Sequence, residues 1–141
     1  MKNYVNKIKY GSILLLILFS IFFIIIKNSI VKAEETFSIG QIPYINFFCK
    51  DEKSMLAIAE ADVAGYQQSN LVVKMLVQFG QCIFSPYPIQ IEIVSIVMDY
   101  VDYEKKKVQV VKGKIKDTFV YSGLYAYQAS KVPFKNKEKR T

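Results

Sequence analysis

The chain has no histidine and no tryptophan among its 141 residues. Histidine is the side chain that most often moves protons near neutral pH, and it also activates serine and cysteine nucleophiles and binds zinc. Its absence excludes Ser-His and Cys-His catalysis and His-ligated metal sites built from this chain alone. We therefore expect a non-enzymatic protein that uses no metal and no cofactor.

Cysteine is also scarce, since Cys49 and Cys82 are the only two. Both follow an amino-terminal hydrophobic run, residues 10–26, and in an oxidising compartment such a pair forms a disulfide. The bond closes a loop of about 34 residues, which the chain-entropy model values at about 4 kcal/mol. The alternatives are two reduced, buried thiols or a reactive thiol. The lack of histidine and of a CxxC spacing argues against a reactive thiol.

The middle of the chain has no net positive charge, although the formal net charge of the whole chain is +7. Residues 1–33 carry five lysines and no acid, and residues 131–141 carry five basic side chains and one acid. Residues 34–130 therefore hold two more acidic than basic side chains. A nucleic-acid-binding domain keeps a basic surface on its folded part, so we expect no nucleic-acid partner.

What the chain does have is an uncharged run near its amino terminus, residues 10–26, preceded by Lys2, Lys7 and Lys9. Leucine and phenylalanine enter hydrocarbon favourably, whereas a lysine at the bilayer centre costs about 2.5–3.5 kcal/mol. The run therefore predicts an export signal. Its basic end stays in the cytoplasm, and everything after the run lies on the other side of the membrane.

Residues 1–33 fit two kinds of export segment. In a cleaved signal peptide, Val31 and Ala33 occupy the −3 and −1 positions, and cleavage falls before Glu34. In a signal anchor, residues 10–26 remain in the membrane as a helix at the short end of the spanning range of about 17–25 residues. Either segment makes the following domain periplasmic, secreted, or anchored with its carboxyl-terminal part outside.

The exported domain, residues 34–130, has the pattern of an α+β fold in which one strand and one or two helices precede three strands. We expect a strand at about residues 44–49. Asp51 is placed to cap a helix over residues 51–68, because aspartate is favoured at the N-cap. Up to Phe79 the chain forms either a second helix capped by Ser69-Asn70 or the continuation of one long, bent helix. A strand there fits the polar pattern less well.

The remaining strands follow Ser85-Pro86-Tyr87-Pro88, which predicts a stiff, extended break. The apolar phase changes near Val94-Ser95, and this change predicts a bulge. Short polar turns between the strands predict a three-stranded antiparallel sheet, curved like a half-barrel, with a helix on one face. The three strands are expected at about residues 89–102, 108–116 and 119–128, and a basic flexible tail follows over residues 131–141.

Aromatic side chains on the last predicted strand are the main candidates for a ligand surface. Tyr121, Tyr125 and Tyr127 share one parity with Phe119. Tyrosine is favoured at contact surfaces because its ring is apolar and its hydroxyl is wettable. The alternative is that these residues are core or half-buried strand residues.

Acidic side chains provide a second candidate, a calcium site or a pair of catalytic carboxylates drawn from Asp99, Asp102, Glu104, Asp51, Glu52, Glu60 and Asp62. Their spacing does not match an EF-hand loop, which needs alternating acids, a central glycine and a distal glutamate. A glycoside hydrolase needs two carboxylates in one cleft, and the sequence does not place them there. We therefore expect solvated turn acids and no metal ligands.

The sequence thus predicts a small exported or membrane-anchored protein that binds an envelope or extracellular protein or glycan. One alternative is an envelope hydrolase that uses carboxylates. Another is an accessory subunit of a membrane complex, which makes contacts through residues 10–26. The basic tail is suited either to anionic lipid or cell-wall polymer, or to solvent alone. The sequence leaves the oligomeric state open.

Overall fold

The computed structural model of the protein describes residues 35–135, which form five strands, two α-helices and a short 3₁₀ helix. The predicted export segment lies outside these residues. The fold is α+β, and all strand pairs are antiparallel in one open sheet of order β2-β1-β5-β4-β3. In chain order the elements are β1 (Tyr44–Cys49), α1 (Glu52–Ala64), α2 (Tyr66–Gln78), β2 (Cys82–Gln90), β3 (Glu92–Val101), β4 (Lys107–Ile115), β5 (Thr118–Tyr125) and the 3₁₀ helix Ala126–Lys131.

The prediction of a three-stranded sheet is wrong, because the sheet has five strands. The two additional strands are β1 and β2. β1 joins the same sheet beside β5, and β2 contains the expected break at residues 85–88. Pro86 and Pro88 are tolerated because β2 is an edge strand, where a missing backbone donor faces outward. They also fall in the part of β2 whose residues have no Cα partner in the register with β1.

The two helices meet at Gly65, four residues before the predicted cap at Ser69-Asn70. That capping prediction is wrong, although the prediction of a second helix is confirmed. Gly65 has φ 141° and ψ 166°, a conformation that is essentially restricted to glycine. The chain therefore turns at Gly65, whereas Ser69 and Asn70 continue α2. The predicted cap of the first helix is confirmed, since the Asp51 carboxylate accepts a hydrogen bond from the Ser54 amide at 2.8 Å.

The last three strands lie close to their predicted positions. A bulge predicted near Val94-Ser95 is confirmed by the register shift between Ile93 and Ser95, and a second shift follows between Ile96 and Met98. The end predicted for the last strand, residue 128, is wrong. β5 stops at Tyr125, and the chain then turns into the 3₁₀ helix, where Ala126 and Ala129 are buried.

Alternation along the strands divides the core between the two faces of the sheet. On the helix face, Met55, Ile58 and Ala59 of α1 pack with Val110 and the two cysteines, and one side of α2 adds half-buried valines and a leucine. On the other face, Ile91, Ile93 and Val111 pack under Phe37 and Ala129, from the segments before β1 and after β5. None of the helices within residues 35–135 is long and apolar enough to cross a membrane.

Candidate functional site

The predicted ligand surface is divided into two places. Tyr125 and Tyr127 stack on each other, with ring centroids 5.6 Å apart and an interplanar angle of 28°. Tyr121 lies four residues back along β5, about 13 Å away for an extended strand, and packs half-buried against the helix-face core. There the Lys112 ammonium lies 4.4 Å from the centroid of the Phe119 ring and 5.9 Å from that of Tyr121.

Three further tyrosines gather near the stacked pair, at the end of the sheet where β3 turns into β4. Tyr100 of β3 is the register partner of Val108 in β4, and Val108 is the partner of Tyr125 in β5. Tyr100 and Tyr125 therefore flank Val108 on the helix face. Tyr103 follows in the turn, and its ring meets that of Tyr66 edge-on at 6.0 Å. We call this set the tyrosine rim: Tyr66, Tyr100, Tyr103, Tyr125 and Tyr127.

Asp62, in the last turn of α1, connects the helix to the rim. Its Oδ2 accepts a hydrogen bond from the Tyr100 hydroxyl at 3.0 Å. Its backbone carbonyl accepts a hydrogen bond from the Tyr103 amide at 3.1 Å. Within residues 35–135 no ion pair involves Asp62, so its negative charge is not neutralised by a neighbouring lysine of the described domain.

A cleft of about 240 Å³ runs between the helices and the sheet beside Asp62. Apolar side chains dominate its lining, and within the described part of the chain Asp62 is the only charged group on it. Gly123 keeps the floor open, because a Cβ there would lie 3.2 Å from the Met55 Cε and 3.3 Å from the Val108 Cγ1. The lining consists of Phe47, Met55, Ile58, Asp62, Val73, Phe84, Tyr100, Val108, Gly123 and Tyr125.

Burial and nearby carboxylates raise the pKa values of three rim hydroxyls. For Tyr100, burial is the largest cause and the charge of Asp62 is the next, and together they hold its pKa well above the ordinary value of 10.0. The pKa of Tyr103 is raised by burial and then by Glu104, and that of Tyr125 by burial and then by Asp102. The charges of Asp62 and Asp102 contribute to the raised pKa of all three hydroxyls, which are therefore protonated at neutral pH.

The acidic residues considered as a metal or hydrolase site are engaged separately. Asp102 Oδ1 accepts a hydrogen bond from the Lys106 amide at 2.8 Å, which closes the turn. Asp99 Oδ1 accepts from the Gln109 amide group at 3.0 Å, and Glu104 pairs with the Lys106 ammonium. Within residues 35–135, no three His, Cys, Asp or Glu side chains are grouped to hold a metal ion.

The predicted disulfide between Cys49 and Cys82 is present. The two residues are register partners at the end of β1 and the start of β2, and both are fully buried on the helix face. The bond therefore holds one end of the edge strand β2 against the sheet. It lies in the same helix-face core that supports the cleft.

Sequence reasoning named Asp62 only as one of seven candidate carboxylates, and it missed that Tyr66, Tyr100 and Tyr103 belong to the same site. In the sequence these residues fall on a helix, a strand and a turn, and strand parity relates only residues of the same strand. Their proximity depends on the β3-β4-β5 register and on where α1 ends. The signal that could have suggested the site is the presence of four tyrosines and four acids within residues 99–125.

No match was found when the chain was compared with protein-family models, curated proteins and solved structures. The geometry and charge of the rim and the cleft are therefore the basis for inferring a function.

Proposed function

We propose that the chain is an exported or membrane-anchored, non-enzymatic protein whose domain binds an envelope or extracellular protein or glycan through the tyrosine rim. The proposal that it lies outside the cytoplasm is supported by the Cys49–Cys82 disulfide, since such bonds persist in oxidising compartments. It is also supported by the uncharged run of residues 10–26 behind three lysines.

The observation that carries the binding proposal is the solvent exposure of large aromatic rings beside a cleft. Tyr66 is 61% exposed although its ring meets that of Tyr103 edge-on. Tyr127 is 56% exposed although its ring stacks on that of Tyr125. A ring that is held by a neighbour and still faces solvent offers contact area with little loss of side-chain entropy on binding. Tyrosine is also enriched among the residues that dominate binding energy at interfaces.

The charge of the cleft favours binding over hydrolysis. A carboxylate hydrolase needs a general acid and a second carboxylate facing it across the scissile bond, at about 5–9.5 Å. Asp62 is the only carboxylate on the lining of the cleft within residues 35–135, and it already accepts a hydrogen bond from Tyr100.

The test is capture of partners from the envelope of the producing organism, using the full chain with a tag after Thr141. Tyr103→Ala and Tyr127→Ala remove rim rings that are 38% and 56% exposed, and we expect each to reduce recovery of the captured protein or glycan. Tyr44→Ala and Tyr87→Ala are matched controls, because those rings are 66% and 77% exposed but lie outside the rim. Equal capture by the rim and control variants would refute the rim as the binding surface.

A further inference from the structure

The rim combines electron-rich ring faces with negative charge. Tyr100 and Tyr125 line the cleft together with Asp62, and Tyr127 stacks on Tyr125. The Asp62 carboxylate accepts a hydrogen bond from the Tyr100 hydroxyl. Asp102 and Glu104 lie in the turn beside them, and both act electrostatically on Tyr103 and Tyr125. A π face attracts cations through its quadrupole, most strongly where water is excluded.

One cation of the domain already lies on this surface. The Lys106 ammonium is 5.7 Å from the centroid of the Tyr125 ring, within the range of a cation–π contact. Lys106 also pairs with the Glu104 carboxylate, and it is not one of the residues that line the cleft. Lys106 therefore competes with any bound cation for the Tyr125 ring, but it forms no ion pair with Asp62.

The mainly apolar lining of the cleft suits an organic cation that needs few hydrogen bonds. A primary ammonium has three N–H donors and needs acceptors for them when it is buried. Within residues 35–135, the side-chain acceptors on the lining are the Asp62 carboxylate and the Tyr100 and Tyr125 hydroxyls, which a primary ammonium could also use, and the rest of the lining is apolar. A quaternary ammonium has no N–H donor, carries its charge on methyl groups and is stabilised by aromatic rings and one carboxylate. The cleft has a volume of about 240 Å³, and one water molecule occupies about 30 Å³ in the liquid. The cleft therefore has room for a group that is much larger than a water molecule.

We propose that the tyrosine rim and Asp62 bind a quaternary ammonium group, with Tyr100 and Tyr125 against its methyl groups and Asp62 balancing its charge. This inference deepens the proposed binding function and rests on it. The group is carried either by a free quaternary amine or by a lipid headgroup of the phosphocholine type.

The test uses the purified full chain in a non-ionic detergent, titrated with choline and with its neutral isostere 3,3-dimethylbutan-1-ol. We expect calorimetry to show that choline binds at least about tenfold more tightly than the isostere, because only choline has the charge. We also expect the NMR signals of the Tyr100 and Tyr125 rings to shift. Equal affinities, or no binding of choline, would overturn the proposal.

Variants identify the groups responsible. Asp62→Asn and Tyr125→Leu should each weaken choline binding by about tenfold, whereas Tyr125→Phe keeps the ring and should change it little. Lys106→Ala should strengthen binding, because it removes a competing cation from Tyr125. Tyr87→Leu, at a ring that is 77% exposed outside the rim, is the control. Weaker binding in Lys106→Ala, or equal losses in Asp62→Asn and Tyr87→Leu, would contradict the assignment.

Two comparisons complete the design. Glycerophosphocholine that binds more tightly than choline assigns the ligand to a lipid headgroup, and weaker binding assigns it to a free quaternary amine. The two proposals also fail separately. If choline does not bind but Tyr103→Ala and Tyr127→Ala still lose their captured partner, the cation chemistry is refuted and the binding function stands.

Discussion

At the scale of single residues, Tyr100 connects the apolar cleft to the polar group beside it. Its ring lines the cleft, and its hydroxyl donates to Asp62 at 3.0 Å. The hydroxyl lies 3.8 Å from the position that a Cβ of Gly123 would take. A small residue at position 123 therefore leaves room for this hydrogen bond beside Met55 and Val108.

The raised pKa of Tyr100 predicts a loss of stability in alkali. The unfolded chain releases this proton near the ordinary pKa of 10.0 and the folded chain only at higher pH. The contribution is therefore complete below pH 10 and declines above it. Between about pH 9 and about pH 11 we expect wild type to lose about 1 kcal/mol more of its free energy of unfolding than Tyr100→Phe, after allowance for solvent screening. Denaturant unfolding at the two pH values measures this, and equal losses would show that Tyr100 ionises normally in the fold.

Close packing at Gly113 gives a second prediction for single residues. A Cβ at this position would lie 2.6 Å from the Cδ1 and 3.1 Å from the Cβ of Ile91, which is only 1% exposed. Gly113→Ala should therefore destabilise the domain by about 1–3 kcal/mol through overpacking. Ile91→Val removes the Cδ1 methyl, so the double variant should be more stable than the sum of the single changes predicts. Additive losses in denaturant unfolding would contradict this contact.

At the scale of elements, α1 depends on the Asp51 cap. The carboxylate accepts from the Ser54 amide and from the Ser54 hydroxyl, both at 2.8 Å, and these hydrogen bonds lower its pKa. Asp51→Ala should cost about 1 kcal/mol at neutral pH. The difference from wild type should be present above the ordinary pKa of 3.8 and disappear as pH falls through the lowered pKa. Lys53→Ala, in the same helical turn, is the control, and thermal unfolding in which both variants melt together would argue against the cap.

Elements set by local sequence could be predicted, and those set by pairing could not. The Asp51 cap and β1 follow from side chains within a few residues, as does the bulge at Val94-Ser95. The place of β2 at the edge does not, because the prolines that suggest a break are tolerated only where the neighbouring strand lies on one side. The tyrosine rim is likewise set by strand pairing. Tyr100 and Tyr125 are brought together because each is a register partner of Val108.

At the scale of the whole molecule, the disulfide connects the fold to the proposed location. Pairing between β1 and β2 involves only the two ends of β2, and Cys49–Cys82 fastens one of them. The same bond lies under the helices that form one wall of the cleft. A compartment that oxidises these cysteines therefore stabilises the surface on which binding is proposed to occur.

The most direct test of this account is the state of the two cysteines in producing cells. The full chain and a variant lacking residues 10–26 are alkylated in denaturant without reductant and then weighed by mass spectrometry. The account predicts that the full chain carries no label on Cys49 or Cys82 until it is reduced, whereas the variant carries two. Two labels on the unreduced full chain would contradict both the export of the domain and the bond that holds its edge strand.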